Sequence, residues 1–144
     1  MQELDETIWT KYELEEKIAK ILKDVEPKDY APHFGRYVYL TAYQIAIEFC
    51  KNYKEDFDDI KKTLGGSGTG SKGDSLPRYF SNTLSRFIKE KKVKHIEATQ
   101  LSKEYIYEVK FSGHNCENQE KEIISPIRIG DMIYHYIDIK NKWH

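Results

Sequence analysis

The stretch Leu76-Pro77-Arg78-Tyr79-Phe80-Ser81-Asn82-Thr83-Leu84-Ser85-Arg86-Phe87-Ile88 decides how this chain is read. Leu76, Phe80, Leu84, Phe87 and Ile88 recur at helical spacing and predict one buried face. Asp74 or Ser75 stands where a side-chain cap belongs. Pro77 falls in the first turn, where a missing N–H costs nothing. The expected helix runs to about Lys91. Its opposite face carries Arg78, Ser81, Asn82, Ser85, Arg86 and Lys89, with no acid before Glu90. Such side chains hydrogen-bond base edges and phosphates.

The charge distribution singles out the same region. The 144 residues carry a net charge of −1, but residues 1–60 balance at −6, residues 61–94 at +7 and residues 95–144 at −2. One basic quarter on an otherwise acidic chain suggests a polyanion-facing surface. The bland alternative is a solvated helix face. Lys92 and Lys94 extend the basic surface beyond the helix.

Upstream, Thr10-x-x-Glu13 reads as a capping box with Trp9 as its staple. Leu14, Ile18, Ile21, Leu22 and Val25 follow as a helical face that ends at Pro27. Arg36–Leu40 reads as a short strand. Thr41-x-x-Gln44 is a second capping box, opening a helix over about 41–53, and a short helix is expected over 55–64 with Gly65 as its stop. Residues 65–73 hold five of the eight glycines and read as a mobile loop. Downstream the period changes to 2. Val93–Ala98 with Tyr105–Phe111, and Ile123–Ile129 with Met132–Ile139, read as two hairpins, although 132–139 also fits a helical period.

Helix 41–53, helix 55–64, helix 75–91 and hairpin 93–111 resemble, in that order, a winged helix-turn-helix domain over about residues 40–111. The resemblance implies that helix 75–91 enters the major groove and that Gln100, Ser102 and Lys103 sit at a wing tip. The ten residues 65–74 depart from the usual 3–4-residue turn. One functional reading has Lys72 and its neighbours approach phosphate at the helix start. The expected architecture is α+β. Residues 1–39 form an N-terminal helix and loop, 40–111 the winged-helix-like core with its β-hairpin wing, and 112–144 a small C-terminal β-hairpin extension, all packed as one compact domain.

Signals for other chemistry are weak. Gly65 and Gly70 have P-loop spacing, but Ser71-Lys72 reverses the required order. Glu108-Val109-Lys110, with Glu97, resembles a nuclease E-x-K. Yet with 15 Glu and 19 Lys, about two such triplets arise by chance, and Glu15–Lys17 and Glu90–Lys92 also match. His114 and Cys116 lack a second ligand pair for zinc, and His33, His95, His135 and His144 are isolated. Two cysteines make no disulfide framework, so a reducing cytoplasm is expected, and Cys50, on a helix core face, reads as a small apolar residue. The acidic N-terminus lacks the apolar run of a secretory signal, and no stretch suits a membrane span. Tyr30, Phe34, Tyr37 and Tyr39 cluster as core or as a partner patch.

The expected function is duplex DNA binding without catalysis or cofactor, by a regulator or accessory of a mobile element, phage or restriction system. RNA is the open alternative target, and a protein partner or a homodimer is compatible. The candidate contacts are Lys72, Arg78, Ser81, Asn82, Ser85, Arg86, Lys89, Lys92, Lys94 and Lys103. The rival reading is a small inhibitor or adaptor that binds a nucleic-acid-processing defence enzyme. A metal-dependent nuclease ranks below both.

Overall fold

The computed structural model describes residues 8–25, 38–64, 75–100, 102, 104–112, 122–126 and 132–136. Among the described residues, helices α1 (Leu14–Asp24), α2 (Ala42–Asn52), α3 (Lys54–Ile60) and α4 (Leu76–Lys89) combine with five strands. The strands are β1 (Leu40–Thr41), β2 (Ile96–Gln100), β3 (Glu108–Ser112), β4 (Glu122–Pro126) and β5 (Met132–Tyr136). The architecture is α+β.

Local chemistry sets most helix ends. Thr41 and Gln44 form the expected capping box: the Thr41 N–H donates to Gln44 Oε1 at 2.8 Å, and the Gln44 N–H donates to Thr41 Oγ1 at 3.3 Å. Ser75 caps α4 by accepting from the Arg78 N–H at 3.3 Å. At the far end of α4, the Lys92 N–H donates to the Phe87 carbonyl at 2.8 Å and the Lys91 N–H to that of Ile88 at 3.1 Å. This is a Schellman closure with Lys91, at φ 60°, in the left-handed position usually given to glycine.

The other expected box does not form. Residues 8–11 make one helical turn, Glu13 takes φ 52°, and α1 starts at Leu14 without a side-chain cap. Trp9 explains the break. It is buried and meets Phe87 edge-on at 5.4 Å, which draws the first turn onto α4. Burying a large apolar side chain contributes about 3 kcal/mol, more than the roughly 1 kcal/mol of a cap. Similarly, α3 ends at Ile60, with Lys61 left-handed at φ 63°, rather than at Gly65.

The strand pairing corrects the two expected hairpins. β5 lies between β1 and β2, antiparallel to both: Leu40 pairs with Tyr134, and Ile96 with Tyr136. β3 pairs with β4 in a separate two-stranded sheet, Val109 opposite Ser125. The stretch expected to extend the C-terminal side thus supplies the middle strand of the main sheet. Alternation of apolar and polar residues reveals a strand but not its partner. Here β5 is chosen by packing, since α1 and α2 both lie against it.

The core joins Leu14, Ile18, Ile21 and Leu22 of α1 to Ile45 and Phe49 of α2, Phe80 and Leu84 of α4 and Ile96 of β2. Phe49 and Phe80 meet edge-to-face at 5.7 Å. Phe111 of β3 stacks on Tyr43 of α2 at 5.3 Å, which lays the second sheet against that helix. Cys50 is fully buried and disulfide-bonded, so it does more than fill space. The sequence has one other cysteine, Cys116, which lies outside the described residues. A disulfide at Cys50 does not favour the reducing compartment expected from the low cysteine count.

Candidate nucleic-acid interface

α4 builds the candidate surface. Its inner face is wider than the sequence suggests, because Tyr79 and Thr83 join Leu76, Pro77, Phe80, Leu84 and Phe87 among the buried residues. What remains outside is a narrow stripe. At 100° per residue, Arg78, Asn82, Ser85 and Lys89 fall within an arc of about 60° and span about 16 Å of helix. Arg78, Asn82 and Lys89 are exposed; Ser81 and Ser85 are half-buried. Among the described residues, no ion pair engages Arg78, Lys89, Lys91 or Lys94.

Arg86 stands apart from Arg78. It lies on the flank of the stripe and is half-buried, its guanidinium 5.0 Å from the centre of the Phe87 ring. Its Nη2 is buried without a hydrogen-bond acceptor. The helical period puts Arg86 on the outer face with Arg78, whereas the structure half-buries it on the flank. Lys92 is exposed, sits 5.2 Å from the same ring and pairs with Glu90 at 3.2 Å. Lys94 is exposed after the helix. Lys72 and Lys103 lie outside the described residues, as does the proposed phosphate approach of the glycine loop.

One cation was not singled out as a contact from the sequence. Lys62 packs its ammonium 5.4 Å from the Tyr79 ring, beside the first turns of α4. The basic composition of residues 61–94 was its only sequence signal.

The ten-residue departure from a tight turn does not separate the helices. Thr63 and Ser75 form a β-bridge, and the Leu76 N–H donates to the Thr63 carbonyl at 2.7 Å. The segment joining them is therefore closed at its base, and α4 starts beside the end of α3.

The acidic side chains engage elsewhere. Lys17 of α1 bonds Asp56 of α3, the Tyr12 hydroxyl donates to Asp59, and Lys20 pairs with Asp24 at 2.7 Å. No acid of α1 pairs with a cation of residues 78–94 among the described residues. The bond to Asp59 raises the Tyr12 pKa, with desolvation adding to it. The bond to Asp24 raises that of Lys20.

Glu97 and Glu108, the carboxylates of the nuclease alternative, lie on strands of different sheets. No group of three or more His, Cys, Asp or Glu suited to a metal occurs among the described residues. No helix among them is long and apolar enough to cross a membrane. Tyr30, Phe34 and Tyr37 lie outside the described residues; Tyr39 is 39% exposed. Tyr105 and Tyr107 fall in the strand expected over Tyr105–Phe111, yet they are 91% and 86% exposed. The acids that bracket them, Glu104 and Glu108, were the available signal.

No protein-family model matches the chain. No curated protein and no solved structure matches it either.

Proposed function

We propose that this chain is a non-enzymatic duplex DNA-binding protein with a winged-helix-like core, in which α4 reads the DNA. The observation that carries the reading is the acid-free stripe Arg78–Asn82–Ser85–Lys89 on an amphipathic, well-anchored helix. Arg can bond bidentately to guanine or phosphate, and Asn to adenine. Lys91 and Lys94 add phosphate-directed charge, and Lys89 in the last turn also complements the helix dipole.

The topology supports the same reading. In chain order α2 to α4 follow the two-residue strand β1 and precede the other four strands, and β2 follows the C-terminal end of the reading helix. The wing of this proposal is longer than the hairpin 93–111. It runs from β2 to β5 and includes β3 and β4. The inhibitor reading would gain from pairing of residues 78–94 with the acidic helix 11–24; among the described residues the α1 ion pairs run to Asp56 and within α1 instead.

The test is fluorescence anisotropy with a random-sequence duplex at 50 and 200 mM salt. Binding should weaken steeply with salt, and Arg78→Ala with Lys89→Ala should lower affinity at least tenfold while leaving the melting curve in place. A folded double variant that binds as tightly as the parent would overturn the reading.

A further inference from the structure

Glu104-Tyr105-Ile106-Tyr107-Glu108 leads from the end of β2 into β3. Two large aromatic rings there stand in solvent, Tyr105 at 91% and Tyr107 at 86% exposure. Tyr105 holds φ 64°, a left-handed conformation unusual for an aromatic residue. The turn is shaped from within, since the Glu104 N–H donates to Ser102 Oγ at 3.2 Å. Glu104 and Glu108 are exposed, and neither forms an ion pair among the described residues.

We propose that this segment docks a protein surface that presents arginine. The charge selects the partner class. Two exposed carboxylates within five residues, neither in an ion pair among the described residues, repel a phosphate backbone and attract a cationic surface. The rings select arginine over lysine, because a guanidinium stacks on a tyrosine face while bonding a carboxylate in its own plane. Tyrosine and arginine are also the side chains that dominate binding at protein interfaces. The patch does not depend on the nucleic-acid reading: α4 carries a cationic surface, and residues 104–108 an anionic aromatic one.

The experiment uses the full chain and a fluorescein-labelled peptide of alternating arginine and glycine. A lysine-for-arginine peptide of equal length and a random duplex serve as comparisons, all near 150 mM salt. The arginine peptide should bind at least fivefold more tightly than the lysine peptide. Tyr105→Ser with Tyr107→Ser should weaken it at least tenfold, and Glu104→Gln with Glu108→Gln severalfold, with duplex binding unchanged. Both pairs are exposed, and melting curves verify that the variants fold. The proposal is overturned if the arginine peptide does not bind, if the two peptides bind alike, or if the tyrosine variant binds the peptide as the parent does. Loss of duplex binding in the tyrosine variant also overturns it and assigns the segment to nucleic acid. Self-association abolished by the same variant overturns it in favour of a second copy of the chain.

Discussion

The Leu76 N–H donates to the Thr63 carbonyl across 2.7 Å, so two residues thirteen positions apart in sequence hold the start of α4 to the end of α3. The Ser75 cap sits directly beside this bond. α4 is thus positioned by its own first turn. Ser75→Ala should cost about 1 kcal/mol, as cap losses do, and Ser75→Gly only a few tenths. Urea unfolding of the two variants checks this. Equal costs would mean that the hydroxyl is not the cap.

Arg78 and Arg86 should separate in a stability assay. Arg78→Ala changes an exposed side chain and should stay within about 0.5 kcal/mol of the parent. Arg86→Ala should cost more, because it removes the guanidinium that lies on Phe87. Arg86→Met keeps the packing and removes a buried donor that has no acceptor, so it should match or exceed the parent in thermal stability. A strongly destabilised Arg86→Met would show that the guanidinium has a partner the geometry does not reveal.

Lys91→Gly should stabilise the protein by about 1 kcal/mol, since glycine takes the left-handed position of a Schellman closure without the penalty borne by a side chain. Melting should rise by a few degrees for a chain of this size. The same change removes one cation and should slightly flatten the salt dependence of duplex binding. A fall in melting temperature would instead mean that the Lys91 side chain contributes packing.

Truncation before Met132 should abolish cooperative melting. It removes the middle strand and leaves β1 and β2 without partners. A terminal hairpin of its own, as the sequence suggested, would be dispensable. A truncated chain that still melts cooperatively would contradict the observed sheet order.

Helix identity was legible in the sequence because its signals are local. The 3.6-residue period of Leu76, Phe80, Leu84 and Phe87 and the boxed Thr41 and Gln44 need no distant partner. The acid-free outer face of α4 followed from the same period. Strand pairing was not legible. Val93–Ala98 and Tyr105–Phe111 are neighbours in sequence, yet Ile96 pairs with Tyr136. Nor could periodicity foresee that Trp9 would reach Phe87 and displace the capping box at Thr10. The burial of Tyr79 and Thr83 has the same origin, because neighbouring elements cover the edges of the helix face.

Alkaline pH should act on the contact between Tyr12, just ahead of α1, and α3. The Tyr12 pKa is raised chiefly by its hydrogen bond to Asp59. A raised folded-state pKa contributes stability that is fully present below the ordinary tyrosine value near 10 and is lost as pH rises through the folded-state value. Tyr12→Phe should therefore narrow the stability difference between neutral and strongly alkaline solution. Unfolding curves at both pH values measure it, and an unchanged difference would remove Tyr12 from the account.

The position of β5 also governs how the chain reaches its native state. Leu40 meets Tyr134 only after 93 intervening positions have been gathered in, and β2 and β5 are themselves separated by the whole of β3 and β4. Helices need only near neighbours to form, whereas this sheet must close a long loop before its first ladder bond exists. On a ribosome, α1 to α4 emerge while their sheet still lacks its centre, so β1 and β2 stay open edges until Met132–Tyr136 arrives. Synthesis thus orders assembly from helices to sheet, and the closing step belongs to a strand that carries none of the proposed binding residues.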